Sequence, residues 1–287
     1  MISIVIPALN EERGIGATVA NISKVLLTAK LEPFEIVVID DGSSDGTGKV
    51  AAEAGARVIR HPHNVGYGRS IKKGIEEAKY DMIVISDADG TYPAASIPDL
   101  VRLYNQGFDM AVGERHGPHY RQSALKVPLR AILRFLVEWT AGRRIPDINS
   151  GLRVFSRAAA IKYFPHLCDT FSFTTSMTLA YMMTRRFVTY HKIDYFERAG
   201  RSKVRLFRDS LKTLQYIVEA IVYYNPLKLF LLFSLICTAV AAIIMLISLY
   251  FSIVTGIMLA VGTAMAAIIM FGIGLLAVLL KQIMDKT

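Results

Sequence analysis

The chain has 287 residues, enough for one large domain or two small ones, and its 33 Lys+Arg against 24 Asp+Glu give a net charge of +9. Hydrophobic residues make up 53% and charged residues 20%, which excludes intrinsic disorder and is more apolar than an ordinary soluble enzyme. Cys168 and Cys237, with no CxxC or Cys/His cluster around them, exclude a disulfide framework and a structural zinc site.

The first residues, Met1 to Ile6, read as a strand with no basic n-region, so no signal peptide is expected. Residues 1–113 then alternate two patterns. Apolar, β-branched runs at 2–6, 34–39, 57–59, 82–85 and 109–112 predict strands buried on both faces. Helical patterns fill 12–29, 46–55, 67–79 and 94–105. This order predicts a parallel sheet with helices on both faces, and ligands in such sheets bind beyond the carboxyl ends of the strands. The loops to inspect are 7–12, 40–47, 61–66 and 86–93.

Two amphipathic helices are expected next. Residues 124–141 set Lys126, Arg130 and Arg134 against Leu125, Leu129, Leu133 and Leu136. Residues 201–224 set Arg201, Arg205, Arg208 and Lys212 against Phe207, Leu211, Leu214 and Val218. A helix with one basic and one apolar face lies at the level of lipid headgroups, and Trp139 suits a headgroup anchor. No nucleic-acid fold signature accompanies the basic residues, so anionic lipid, not nucleic acid, is their expected partner.

From Leu229 to Leu280, 52 residues pass without one Asp, Glu, Lys or Arg. As a single helix they would span about 78 Å, far more than a bilayer core of about 30 Å. Two transmembrane helices are predicted, 227–250 and 257–280, with Pro226 in the first turn. The domain plan is therefore 1–203 catalytic, 204–225 an interface helix and 226–287 a membrane hairpin. Nearly all positive charge precedes Leu229, which predicts a cytoplasmic catalytic domain and cytoplasmic termini.

Among the loops, Gly14-Ile15-Gly16 lacks a third glycine and is no dinucleotide fingerprint. Gly42 to Lys49 has five residues between its glycines and Val50 after the lysine, so it is no phosphate loop of the NTPase kind. The six histidines lack metal-like spacing and read as structural. What remains is acids at strand ends: Asp40-Asp41, and Asp87-Ala88-Asp89. Two acids two apart in a turn aim at one point, and Mg²⁺ or Mn²⁺ takes oxygen ligands together with phosphate oxygens.

In order, 4–12 (IVIPALNEE), 38–47 (VIDDGSSDGT), Asn64-Val65-Gly66 and 86–90 (SDADG) resemble family 2 glycosyltransferases of the GT-A fold, over about residues 1–205. Residues 147–153 (DINSGLR) and 198–203 (RAGRSK) are similar to segments of dolichyl-phosphate mannose synthases and related polyprenyl-phosphate glucosyltransferases. That resemblance implies roles. Pro7, Leu9, Glu11, Val38 and Asp40 would line the nucleoside pocket of a nucleotide-sugar. Asp87, Ala88 and Asp89 would sit under the diphosphate, with Asp89 the main metal ligand and Asp87 beside it. Arg198 and Lys203 would close over the diphosphate, and Asp147 would position the sugar or a basic side chain within the catalytic set. Arg115, in Gly113-Glu114-Arg115, matches an arginine of the family and would receive the acceptor phosphate, with Arg130 on the basic stripe as its partner. One departure stands out: the mannose synthases continue D-A-D-L-Q, whereas this chain has Gly90-Thr91, and threonine is too short to serve as the glutamine does.

The resemblance implies inverting transfer of a hexose from a nucleotide-sugar of GDP-mannose or UDP-glucose type to a membrane polyprenyl or dolichyl phosphate. A hydroxyl acceptor would call for a carboxylate base, and a third reading is a non-catalytic nucleotide-sugar-binding protein. The residues do not choose among glucose, mannose and N-acetylhexosamine donors.

Overall fold

The computed structural model describes residues 1–117, 127–196 and 206–284, and of 127–133, 206–213 and 284 the backbone only. The chain divides into two compact units, Met1–Ile217 and Val218–Thr287.

In the first unit, seven strands form one sheet: β1 (Ile2–Ala8), β2 (Phe34–Asp40), β3 (Arg57–Arg60), β4 (Met82–Ile85), β5 (Met110–His116), β6 (Arg153–Ser156) and β7 (Val188–Asp194). Their order is β3-β2-β1-β4-β6-β5-β7. The five strands expected from sequence all form, and those of them that pair with each other do so in parallel. β6 departs, lying antiparallel between β4 and β5. Its first residue, Arg153, pairs with Val112 and Ile85 near the carboxyl ends of their strands. The chain therefore enters β6 at the edge where β5 ended and can only run back.

Side-chain alternation assigns the helices to faces. Ile2, Ile4, Ile6, Ile36 and Val38 point into a core with Ile15, Val19, Ile22 and Leu26 of α1 (Glu12–Thr28) and Ile97, Leu100 and Val101 of α4 (Ile97–Asn105). Each fully buried aliphatic side chain stabilises the fold by about 1.5–3 kcal/mol. The opposite face, with Val5 and Ile39, takes α3 (Tyr67–Glu77). Gly74 lets α3 press close there, since a Cβ at this position would stand 2.3 Å from Val5 Cγ1. α2 (Thr47–Glu53) connects β2 to β3.

After β5 the unit adds α5 (Val127–Ala141), α6 (Arg157–Ile161) and α7 (Phe173–Met183). α5 and α8 (Leu206–Tyr224) are the two amphipathic helices expected from sequence; the predicted starts of both fall outside the described residues. On α5, Phe135 and Trp139 stack with 6.3 Å between ring centroids and stand 54% and 38% exposed.

The second unit contains α9 (Pro226–Tyr250) and α10 (Val254–Met284), both long and apolar enough to cross a membrane. The turn between them is three residues, tighter than the expected 251–256. Ser252 adopts φ +53, its N–H donates to the Leu249 carbonyl (3.4 Å), and the Ile253 N–H donates to the Ser248 carbonyl (2.8 Å). These are the two bonds of a Schellman C-cap, here with serine in the left-handed position. Gly256 is thereby released from the turn and serves contact instead, since a Cβ there would overlap Ser248 Oγ.

Candidate active site

The strand order reverses between β1 and β4, because β2 and β3 extend from β1 one way and the later strands the other. Crevices at such switch points are where α/β sheets bind ligands. Pro7, Leu9 and Glu11 sit at the end of β1 and just beyond it, and Asp87, Ala88 and Asp89 just beyond β4. Pro7 lies past the last β1–β4 pair, Val5–Ile85, where its missing N–H costs no ladder bond.

The loop after β1 is stitched to the loop after β2. Asn10, at φ +49, donates its N–H to Ser43 Oγ (2.9 Å) and accepts from the Ser44 N–H (2.8 Å). The Glu11 N–H donates to Thr47 Oγ1 (2.8 Å). Val38 is buried in the strand that leads to this loop. Asp40, only 1% exposed, accepts from the Ser43 N–H (2.9 Å) and lies 3.5 Å from Arg60 Nε. Its neighbour Asp41 has a separate task. Its carboxylate accepts from the N–H groups of Val65 (2.8 Å) and Gly66 (3.1 Å), placing negative charge at the start of α3.

The two acids of the D-x-D turn are held differently. Asp87 Oδ1 accepts from the Tyr67 hydroxyl (2.9 Å). Burial first, and the Asp87 charge second, push the Tyr67 hydroxyl well above its ordinary pKa, so it stays a donor. Asp89 Oδ1 accepts from the Thr91 N–H (3.1 Å) and hydroxyl (2.7 Å) across Gly90 at φ +72. Thr91, at the position where the resemblance to mannose synthases implies a glutamine, thus orients Asp89. Among the described residues no three His, Cys, Asp or Glu side chains gather into a protein-only metal cage. Two carboxylates beside a switch-point crevice suit a hard cation that takes its other ligands from phosphate.

The third group stands at the end of β5. Arg115 meets Asp147 through two parallel contacts, Nε to Oδ2 at 2.7 Å and Nη2 to Oδ1 at 2.8 Å, and its N–H also donates to Oδ2 (3.2 Å). Their side chains are 15% and 2% exposed. Burial pushes the Asp147 carboxyl up, but the Arg115 hydrogen bonds and charge outweigh it and hold it below the usual carboxylate value. Sequence reasoning named both residues without pairing them. It missed Tyr67 and Tyr92, and the only signal for Tyr67 was its place directly after Asn64-Val65-Gly66. Arg198 and Lys203 lie outside the described residues. Arg130 is on α5, in the stretch described by backbone only.

Residues 3–164 match the profile of glycosyl transferase family 2. The chain belongs to this family. A dolichyl-phosphate hexose transferase of Haloferax volcanii is 27% identical, over 72% of this chain and 87% of that one. An undecaprenyl-phosphate 4-deoxy-4-formamido-L-arabinose transferase of Aeromonas hydrophila is 30% identical, over 85% of this chain and 73% of that one. The chain spans about half the length, 53%, of a third relative, the H. volcanii low-salt glycan biosynthesis hexosyltransferase Agl6, at 30% identity and over 76% of this chain. Glucosyl-3-phosphoglycerate synthase of Mycobacterium tuberculosis, solved with Mn²⁺, uridine diphosphate and glucosyl-3-phosphoglycerate, superposes with a TM-score of 0.61 at 22% identity, covering 77% of this chain and 79% of that one. That likeness shows the fold.

Proposed function

We propose that this protein transfers a hexose, with inversion, from a nucleotide-sugar to a membrane polyprenyl phosphate, and that it needs Mg²⁺ or Mn²⁺ to do so. One observation carries the choice of acceptor. A hydroxyl acceptor needs a general base with a pKa near the working pH. Asp147 is bound at both oxygens by Arg115 and held below the usual carboxylate value, which makes it a poor base. A phosphate acceptor is already anionic and needs none. It needs a cation, and Arg115 offers planar, bidentate phosphate recognition. The polyprenyl-phosphate relatives support the same reading.

In this reading Pro7, Leu9, Glu11, Val38 and Asp40 bind the nucleoside, and Asp87 and Asp89 hold the cation with the diphosphate. When bound, the cation neutralises charge developing on the leaving diphosphate. Tyr67 and Thr91 keep the two carboxylates aimed. Arg198 follows Phe196 by two residues, and the Phe196 N–H donates to the Thr91 carbonyl (3.0 Å). In the same reading Arg198 and Lys203, from the 198–203 segment whose resemblance implies it, are the cations that meet the departing diphosphate. Arg115 and Arg130 take the acceptor phosphate.

A lipid acceptor also gives the other segments a purpose. Residues 1–203 act as the catalytic domain in the cytoplasm, α5 and 204–225 lie at the headgroups, and 226–287 anchor the chain. The test is a labelled transfer assay on the full chain in detergent, with polyprenyl phosphate and a set of UDP- and GDP-hexoses. Label is expected in the polyprenyl-phosphate fraction, and EDTA or Asp89→Ala is expected to abolish it. Label found only on a hydroxyl-linked lipid or polymer, or turnover that persists in EDTA, overturns the reading.

A further inference from the structure

Tyr195 belongs to none of the segments that point to the family, yet it touches the acceptor side and the metal loop together. Its N–H donates to the His116 carbonyl (3.0 Å), one step beyond the last β5–β7 pair, His116–Asp194. Its ring lies 5.4 Å from the Arg115 guanidinium carbon. On another side it meets the Tyr92 ring edge-on, at 5.4 Å between centroids and 73° between planes. Tyr92 is buried, 7% exposed, and its hydroxyl accepts from the Gly151 N–H (2.6 Å). The next residue, Phe196, reaches Thr91 through its N–H. The Tyr195 ring is therefore fixed by backbone on both sides of it and by a second ring that is itself pinned.

We infer that Tyr195 is a positioning residue for the lipid phosphate, acting through Arg115; the inference rests on the proposed role of Arg115 in binding that phosphate. Asp147 orients the guanidinium from one edge, through Nε and Nη2. A second carboxylate would orient Arg115 further while repelling a phosphate. An aromatic face orients the cation and adds no formal charge. Arginine side chains lose much rotamer freedom on binding, so a guanidinium already clamped between Asp147 and Tyr195 meets the phosphate with that loss behind it. Tyrosine and phenylalanine serve equally here, because the ring makes the contact.

The experiment measures binding of a short-chain polyprenyl phosphate by calorimetry, and kcat and KM for the same acceptor, with full-length protein in detergent. Tyr195→Leu should weaken acceptor binding about tenfold, with kcat at saturation and the affinity for free nucleotide diphosphate within twofold of wild type. Tyr195→Phe should restore acceptor binding to within twofold. In an Arg115→Ala background, Tyr195→Leu should add nothing, as two residues acting in series must show. Unchanged acceptor binding in Tyr195→Leu, an equal loss of nucleotide binding, or a full tenfold loss persisting without Arg115 would each overturn the inference. Failure of the wild type to glycosylate any polyprenyl phosphate would instead overturn the transfer reading. The binding comparison still decides Tyr195 in that case, since it needs no turnover.

Discussion

A Cβ placed on Gly151 would stand 3.0 Å from one oxygen of Asp87 and 3.1 Å from the other. The glycine of the 147–153 segment is thus a seat for the Asp87 carboxylate, which Tyr67 holds from another side. Gly151→Ala should push Asp87 off Tyr67 and lower kcat by about 10²-fold, the scale of a 1 Å misplacement. Thermal stability should change little, and kcat with unaltered melting would check it. Equal loss of stability and activity would make Gly151 a folding residue only. At this scale the sequence was partly legible. Acids at strand ends marked a candidate site, but not how each is held. Asp40 and Asp41 are neighbours of identical type, and only the fold separates a β2 terminus turned toward Ser43 and Arg60 from a cap on α3. The Arg115–Asp147 contact joins residues 32 apart, a distance over which no spacing rule operates.

Among the elements, β6, β7, α6 and α7 were not anticipated, and for β6 and α7 the reasons are physical. α7 is buried from Phe173 to Met182, so it lacks the polar face from which a helix is recognised. β6 has four residues, too few to establish a period. Both serve the site through Arg153, which is 0% exposed. Its Nε donates to the Ser150 carbonyl (3.0 Å), and its Nη1 to the Thr174 carbonyl (3.0 Å) and Thr178 hydroxyl (3.1 Å). Thr178 reaches back to the Ile148 carbonyl (3.2 Å), and Thr175 bonds Asn149. The loop that presents Asp147 and Gly151 is therefore pinned to a helix from below. Arg153→Met keeps the bulk and removes the bonds, leaving buried acceptors unsatisfied at about 1–3 kcal/mol each. It should lower the melting temperature by several degrees, with Arg153→Lys recovering part of the loss. Unchanged melting in Arg153→Met would show that the loop holds its shape without this network.

For the whole molecule, the charge distribution along the hairpin predicts an orientation. α9 begins two residues before Lys228, and α10 carries Lys281 in its last turn. Lys281 Nζ donates to the Tyr224 carbonyl (2.8 Å) and lies 5.9 Å from the Tyr223 ring centroid. Both lysines are therefore at one end of the antiparallel pair. The other end, Phe251-Ser252-Ile253, has no charge at all. Ser234 Oγ bonds the Ala267 carbonyl (2.9 Å) midway, and a Cβ added at Gly274 would stand 2.8 Å from Phe230 Cβ, so the two helices pack as one hairpin. Central lysines are costly in lipid, while lysines at helix ends reach the interface and stay preferentially on the cytoplasmic side. The uncharged tip should then cross. In intact cells, with Cys168 and Cys237 replaced, Ser252→Cys should react with a membrane-impermeant maleimide from outside. Lys49→Cys, whose native side chain is 80% exposed in the first unit, should react only after lysis. Labelling of Lys49→Cys in intact cells, with Ser252→Cys protected, would reverse the topology and place the transfer reaction on the opposite face of the membrane.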